Sequence, residues 1–292
     1  MNTVAQAQQP NPWDKAAAGW NDQTDVIRSW LRDVTVSMLD AARINKGFRV
    51  LDIAAGAGDQ TLDIARRVGV TGHVLATDLS PRILALAERN AQAHGYGQVR
   101  TRVADAQALG LAGASFDAAV CRLGLMFCQD PLSALTEARR ALRPGGHFSA
   151  VVFSAPQQNP CLTITMGIAR RYAGLPPATS VEPGSLLSLG APGVLAQMLD
   201  EAGFVDTTVQ AVAAPFKLPS SQHYVDFVRA AGSPLIEMLT KAPQDVRNSA
   251  WDEMAAELSR FNTASGWEGP NELLLCSATA PRPQAACLVS NE

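Results

Sequence analysis

The residues best placed to do chemistry are three carboxylates that each close an apolar run, Asp52, Asp78 and Asp105, and a fourth, Asp59, that opens a helix. Around the first lies Arg49-Val50-Leu51-Asp52-Ile53-Ala54-Ala55-Gly56-Ala57-Gly58-Asp59, a buried strand running into a tight loop of small residues. Val50, Leu51 and Ile53 suit a strand covered on both faces. Ala54 to Gly58 leave so little side chain that a ligand can approach the backbone. The helix expected over 61–68 points its N-terminus at the same spot. A pyrophosphate site would place a third glycine three residues after Gly58 and keep acids away from the helix start. Thr61 and Asp59 stand there instead. Two carboxylates around such a loop suit a cationic or hydroxyl-bearing ligand, so the loop favours a compound joining an amino acid to a nucleoside. Asp78, twenty positions beyond Gly58, can accept hydrogen bonds from both hydroxyls of a ribose. Asp105 is placed to meet an adenine amino group.

The elements that must hold these groups alternate. Strands are expected at 49–53, 73–77, 99–104 and 116–121, with a fifth after the turn Pro144-Gly145-Gly146. Helices separate them, one starting at Ser80-Pro81 and one at Asp130-Pro131, each a cap followed by proline in the first turn. Five alternations from 49 to 153 give a parallel sheet with helices on both faces and right-handed crossovers. Upstream, 22–42 reads as one or two amphipathic helices packed beside or over the ligand crevice. Downstream the alternation breaks. Helices are expected at 162–172 and 192–202, strands at 204–212 and 272–279, and two insertions, 156–190 and 219–263, are long enough to act as lids. Polar ends at 1–12 and 281–292 read as flexible tails.

The motifs VLDIAAGAGD, ATDLSP, VADAQAL, FDAAVCRLGLMF and ALRPGGHF, in this order and spacing, resemble the class I S-adenosylmethionine-dependent methyltransferases, within them the group of ubiquinone and menaquinone C-methyltransferases. The resemblance is close over about 45–155. It departs at Ala54, where the family usually has glycine. It implies an α/β fold with a Rossmann-like, seven-stranded, mostly parallel sheet whose last strand enters antiparallel between the fifth and sixth. It also implies a single methyltransferase domain over 13–280, with an N-terminal helical cover at 13–46 and a cofactor-binding core at 47–155. S-adenosylmethionine is the implied cofactor. Asp52, the backbone of Ala54, Ala55, Gly56 and Gly58, and Asp59 would meet its methionine moiety, with Arg122 beside them. Asp78 and Leu79 would meet the ribose, and Asp105 with Ala106 the adenine. The family places an aromatic residue of its N-terminal segment over the cofactor, which singles out Trp20.

The acceptor is expected to be a small, largely apolar molecule, because both insertions are rich in Leu, Ile, Met and Phe and poor in Lys and Arg. A general base, if the acceptor needs one, is sought among four histidines. His73, His94 and His147 fall away from the carboxyl ends of the strands, which leaves His223, with Tyr172 as a second candidate. Scattered histidines suggest no metal site. A formal net charge of −3 gives no electrostatic footprint for nucleic acid. The absence of a long apolar run or an export signal points to a cytoplasmic protein with no membrane span. Five cysteines without a Cys-x-x-Cys pair read as reduced core residues. A homodimer is compatible with all of this. Two rival readings are an NAD(P)-dependent oxidoreductase, for which Gly56-x-Gly58 and Asp78 satisfy part of the fingerprint, and a non-catalytic ligand-binding protein that keeps the fold.

Overall fold

The computed structural model describes residues 12–177 and 182–283. The two expected tails therefore fall almost wholly outside the described residues. Two helices come first, α1 (Pro12–Asp22) and α2 (Thr24–Ala41). The apolar stripe of α2, with Ile27, Leu31, Val34, Met38 and Leu39, is buried. Then follow β1 (Arg49–Ile53), α3 (Asp59–Val68), β2 (His73–Asp78), α4 (Pro81–Ala93), β3 (Val99–Val103), β4 (Phe116–Arg122), α5 (Pro131–Ala141) and β5 (Leu142–Phe153). Both expected caps form: Ser80 Oγ accepts from the Ile83 amide and Asp130 Oδ1 from the Ser133 amide, with proline at the helix start in each case.

Beyond β5 the chain forms α6 (Pro160–Tyr172), α7 (Val194–Glu201), β6 (Val205–Ala213), β7 (Phe216–Leu218), α8 (Ser221–Ala231), α9 (Ser233–Leu239), α10 (Gln244–Leu258), β8 (Asn262–Thr263), β9 (Gly266–Gly269) and β10 (Glu272–Thr279). The main sheet has seven strands in the order β3-β2-β1-β4-β5-β10-β6. β1 to β5 pair in parallel, and β10 enters antiparallel between β5 and β6, as the resemblance implied. Central strands are apolar along their length because helices cover both faces: β4 reads Phe116-Asp117-Ala118-Ala119-Val120-Cys121-Arg122 and is buried at all but Asp117. Edge strand β6 alternates polar and apolar residues and stays largely open.

A second sheet, in the order β7-β9-β8, went unread in the sequence. It bridges α2 and α8 through aromatic contacts. The Trp30 ring stacks on Phe216 with centroids 4.0 Å apart, and its indole N–H donates to Ala214 O at 2.8 Å and Asn271 Oδ1 at 3.1 Å. Asn159, fully buried, fixes the mouth of the same region: its amide donates to Ser154 O, and its Oδ1 accepts from the Glu272 amide at 3.1 Å. The four cysteines within the described residues are all free thiols. No helix among them is long and apolar enough to cross a membrane.

Candidate active site

Strands β1 to β4 deliver their carboxyl ends to one cavity of about 370 Å³. Its wall includes Ile53 and Ala54 from β1, Asp78 and Leu79 after β2, Ala104, Asp105 and Ala106 after β3, and Cys121 and Arg122 of β4. Ala55, Gly56, Asp59 and Trp20 complete the set of expected residues that line it. Parallel neighbours put every ligand-facing residue at a strand end on the same edge of the sheet, so their sequence spacing follows the length of one strand plus one helix.

The loop after β1 departs from ordinary backbone. Gly56 and Gly58 adopt φ of +57° and +88°, which glycine enters at no steric cost. Ala54 adopts +54° with a methyl group in place, and its neighbour across the strand ends, Leu123, adopts +56°. Two left-handed non-glycine residues side by side in a cavity wall are local strain held by the surrounding fold. Gly124 explains how the Ala54 methyl is accommodated: a Cβ there would lie 2.3 Å from Ala54 Cβ. Gly58 does not line the cavity. A Cβ on it would come within 3.0 Å of Ala87, so this glycine lets the loop pack closely on α4.

Asp52 does not line the cavity either. It is fully buried behind the cavity, and its two oxygens accept from Gln60 Nε2 at 3.0 Å and Thr61 Oγ1 at 2.6 Å. Burial pushes its carboxyl up from 3.8 to about 6, against the lowering effect of those two bonds and of the Arg122 charge. Its reach is indirect, through Gln60, which does line the cavity.

Asp78 is held ready. Its oxygens accept from the Gly56 amide at 3.1 Å and the Ser80 amide at 3.0 Å, which fixes the carboxylate while leaving lone pairs for a pair of hydroxyls. Burial raises its pKa above the usual carboxylate value, with the Asp14 charge adding to that and the Ser80, Gly56 and Leu79 amides opposing it. Asp105 is clamped by Gln107, whose backbone amide and side-chain amide both donate to Oδ1, at 2.9 and 3.0 Å. Asp59 takes an ion pair from Arg122 at 2.7 Å and a second from Arg28, while Arg122 also donates to Thr35 Oγ1 at 2.7 Å. Two guanidinium groups converge on one carboxylate beside the loop, with Asp25 and Asp63 also acting on Arg28 and Asp52 on Arg122. Arg28 was missed because it sits on the polar side of an amphipathic helix, where a cation normally signifies only a solvated face. His94, expected at the surface, is exposed yet rims the cavity together with Asn90.

A smaller cavity of about 80 Å³ abuts the first and is lined almost entirely by apolar side chains, among them Trp30, Met126, Phe153, Met166, Phe216 and Phe227. Trp13, Trp20, Leu123 and Phe127 line both cavities and form the wall between them. Trp13 meets Phe127 edge to face at 4.7 Å. The two candidate bases lie in neither wall. His223 is exposed in the first turn of α8, its Nδ1 2.8 Å from Ser220 Oγ in the helix cap. Tyr172, at the end of α6, donates its hydroxyl to Glu253 Oε2 at 2.9 Å and so ties α6 to α10. Helix capping and inter-helix bonding take up both polar groups.

The profile of a family described as Methyltransferase domain matches residues 50–146, the segment that builds the larger cavity. A demethylmenaquinone methyltransferase of Geobacillus kaustophilus is 30% identical over 218 residues, which cover 68% of this chain and 88% of the relative. The chain belongs to the class I S-adenosylmethionine-dependent methyltransferases. A ubiquinone/menaquinone biosynthesis C-methyltransferase UbiE of Hahella chejuensis is 34% identical over 150 residues, 49% of this chain and 59% of the relative, so this match spans well under two thirds of that relative's length. The fold is also that of a phosphoethanolamine N-methyltransferase 2 of Haemonchus contortus in complex with S-adenosyl-L-methionine, with a TM-score of 0.59 at 16% identity over 94% of this chain and 61% of that one. The residues of the larger cavity fit the cofactor of this methyltransferase family. The backbone at Gly56 is bare, with only Ile83 Cδ1 3.9 Å from where a Cβ would stand. Acceptors for hydroxyl and amino groups stand at Asp78 and Asp105, and the guanidinium groups of Arg28 and Arg122, both in the cavity wall, suit a carboxylate.

Proposed function

We propose that this methyltransferase moves a methyl group from S-adenosylmethionine to a small, largely apolar metabolite seated in the smaller cavity. The reading is carried by one observation: the polar, carboxylate-bearing cavity and the apolar one share a wall of Trp13, Trp20, Leu123 and Phe127. Within the larger cavity Asp78 would hold the ribose hydroxyls, Asp105 and Ala106 the adenine edge, and Arg28 with Arg122 the methionine carboxylate. The bound cofactor supplies an electrophilic methyl on a sulfonium. The chain's own part is to align and to dry. An in-line approach demands a fixed orientation between two bound molecules, and alignment of this kind contributes on the order of 7–11 kcal/mol to a well-oriented reaction. An aromatic wall excludes water, and the Trp20 face at the junction would steady a nearby cation by about 0.5–2 kcal/mol. Leu123, strained at φ +56°, fixes the wall at the point where the two ligands would meet. Reduced cysteines and the small-molecule site agree with work in the cytoplasm.

Incubating the protein with S-adenosylmethionine labelled in its methyl group and a small-molecule extract tests this. The expected product is label that partitions into organic solvent; label found nowhere but in the cofactor and its breakdown products would contradict the proposal.

A further inference from the structure

The smaller cavity holds one polar feature that the proposed reaction has not used. Tyr224, in the second turn of α8, has no exposed surface and lies in the cavity wall. Its ring is met edge-on by Phe216, centroids 5.0 Å apart, and at a tilt of 34° by Trp267 at 5.2 Å. Among the described residues nothing hydrogen-bonds its hydroxyl, on which only burial and the nearby Cys161 act. The indole N–H of Trp30 is spent on Ala214 and Asn271. A buried hydroxyl left without a partner is costly, and proteins satisfy nearly all such groups. An exception set into the wall of a cavity marks a group waiting for its partner.

We infer that the Tyr224 hydroxyl anchors the methyl acceptor by donating a hydrogen bond to an oxygen lone pair on an otherwise apolar molecule. The inference rests on the proposed seating of the acceptor in this cavity and deepens it, adding an oxygen acceptor group to the apolar body. Burial pushes the phenol well above its usual value, with the nearby Cys161 acting in the same direction, so the group stays protonated and serves as a donor rather than a base. One hydrogen bond in an apolar surround fixes orientation more than it adds affinity. Tyr224 is therefore a positioning contact for the acceptor, distinct in role from the strand-end carboxylates.

The test uses two flat probes of the same shape, acetophenone and 2-phenylpropene, titrated calorimetrically into protein saturated with S-adenosylhomocysteine. Saturation is measured first, so a failure of the cofactor cavity is seen separately from a failure at Tyr224. Replacing Tyr224→Phe removes only the hydroxyl. It is expected to weaken acetophenone about three- to tenfold, the size of one net hydrogen bond, and to leave 2-phenylpropene and S-adenosylhomocysteine unchanged. The melting temperature should stay level or rise, because no bond inside the protein is lost. Equal binding of acetophenone by both proteins overturns the assignment, as does a fall in melting temperature of several degrees, which would mark a structural hydroxyl. Neither probe binding to cofactor-loaded protein also overturns it, while leaving methyl transfer itself to the labelling assay.

Discussion

The two cavities are built on opposite plans. The larger one gathers residues that lie just past the ends of four consecutive parallel strands, each fixed by backbone: Asp78 by two amides, Gly56 by its φ, Asp105 by the Gln107 amide. The smaller one gathers side chains from α1, α2, α6, α8 and the loop after β4, segments spread over more than half of the chain and held by ring packing. A site held by backbone tolerates little change at few positions. One held by packing distributes its stability over many side chains and takes its shape from all of them.

That contrast also accounts for what was readable. Strand-end carboxylates stand out because the alternation of apolar runs and caps sets their spacing, so the parallel sheet of β1 to β5 was legible from the residues, while the antiparallel entry of β10 and the roles of wall residues between Ala54 and Arg122 came with the family resemblance. Asp52 and Gly58 were expected to face the ligand, yet neither lines the cavity, since a sequence gives no sign of which carboxylate turns inward to meet Gln60 and Thr61. The chamber was illegible in detail. Phe216, Tyr224 and Phe227 look like any apolar stripe, and the short sheet of β7, β8 and β9 has strands of two to four residues, too brief for a period to show. His223 and Tyr172 attracted notice by residue type alone, and type does not reveal that a cap or a neighbouring helix already uses the group.

The sharpest way to break the comparison is at the loop. Gly56→Val places a branched side chain at φ +57° in the cavity wall, a conformation such residues essentially do not adopt. S-adenosylhomocysteine binding should fall below detection by calorimetry while far-ultraviolet circular dichroism stays that of the parent; retained affinity would show that the loop does not touch the ligand. Asp52 comes next. Between pH 3.8 and about 6 the folded chain keeps a proton that the unfolded chain releases, so stability drops as pH rises through this window and is flat above it. The cost at neutral pH is about 3 kcal/mol. Urea unfolding at pH 4 and pH 7 should show the parent losing about 2 kcal/mol more than Asp52→Asn, because pH 4 already lies above the unfolded-state value; parallel behaviour of the two proteins would remove the buried charge from the account. In the packed region, Trp30→Phe strands Ala214 O and Asn271 Oδ1 and thins a stacked contact, for an expected loss of about 1–3 kcal/mol. S-adenosylhomocysteine affinity should change less than twofold, and a larger change would mean that the two regions are not independent.

The central claim, that carboxylates fixed at strand ends grip an adenosyl cofactor, is tested most directly by titrating S-adenosylhomocysteine into the parent protein and into Asp78→Ala. The account predicts one equivalent bound by the parent and a dissociation constant raised by about 1.5–3 kcal/mol, roughly ten- to 150-fold, in the variant. The same dissociation constant for both proteins, or no binding by the parent, would contradict it.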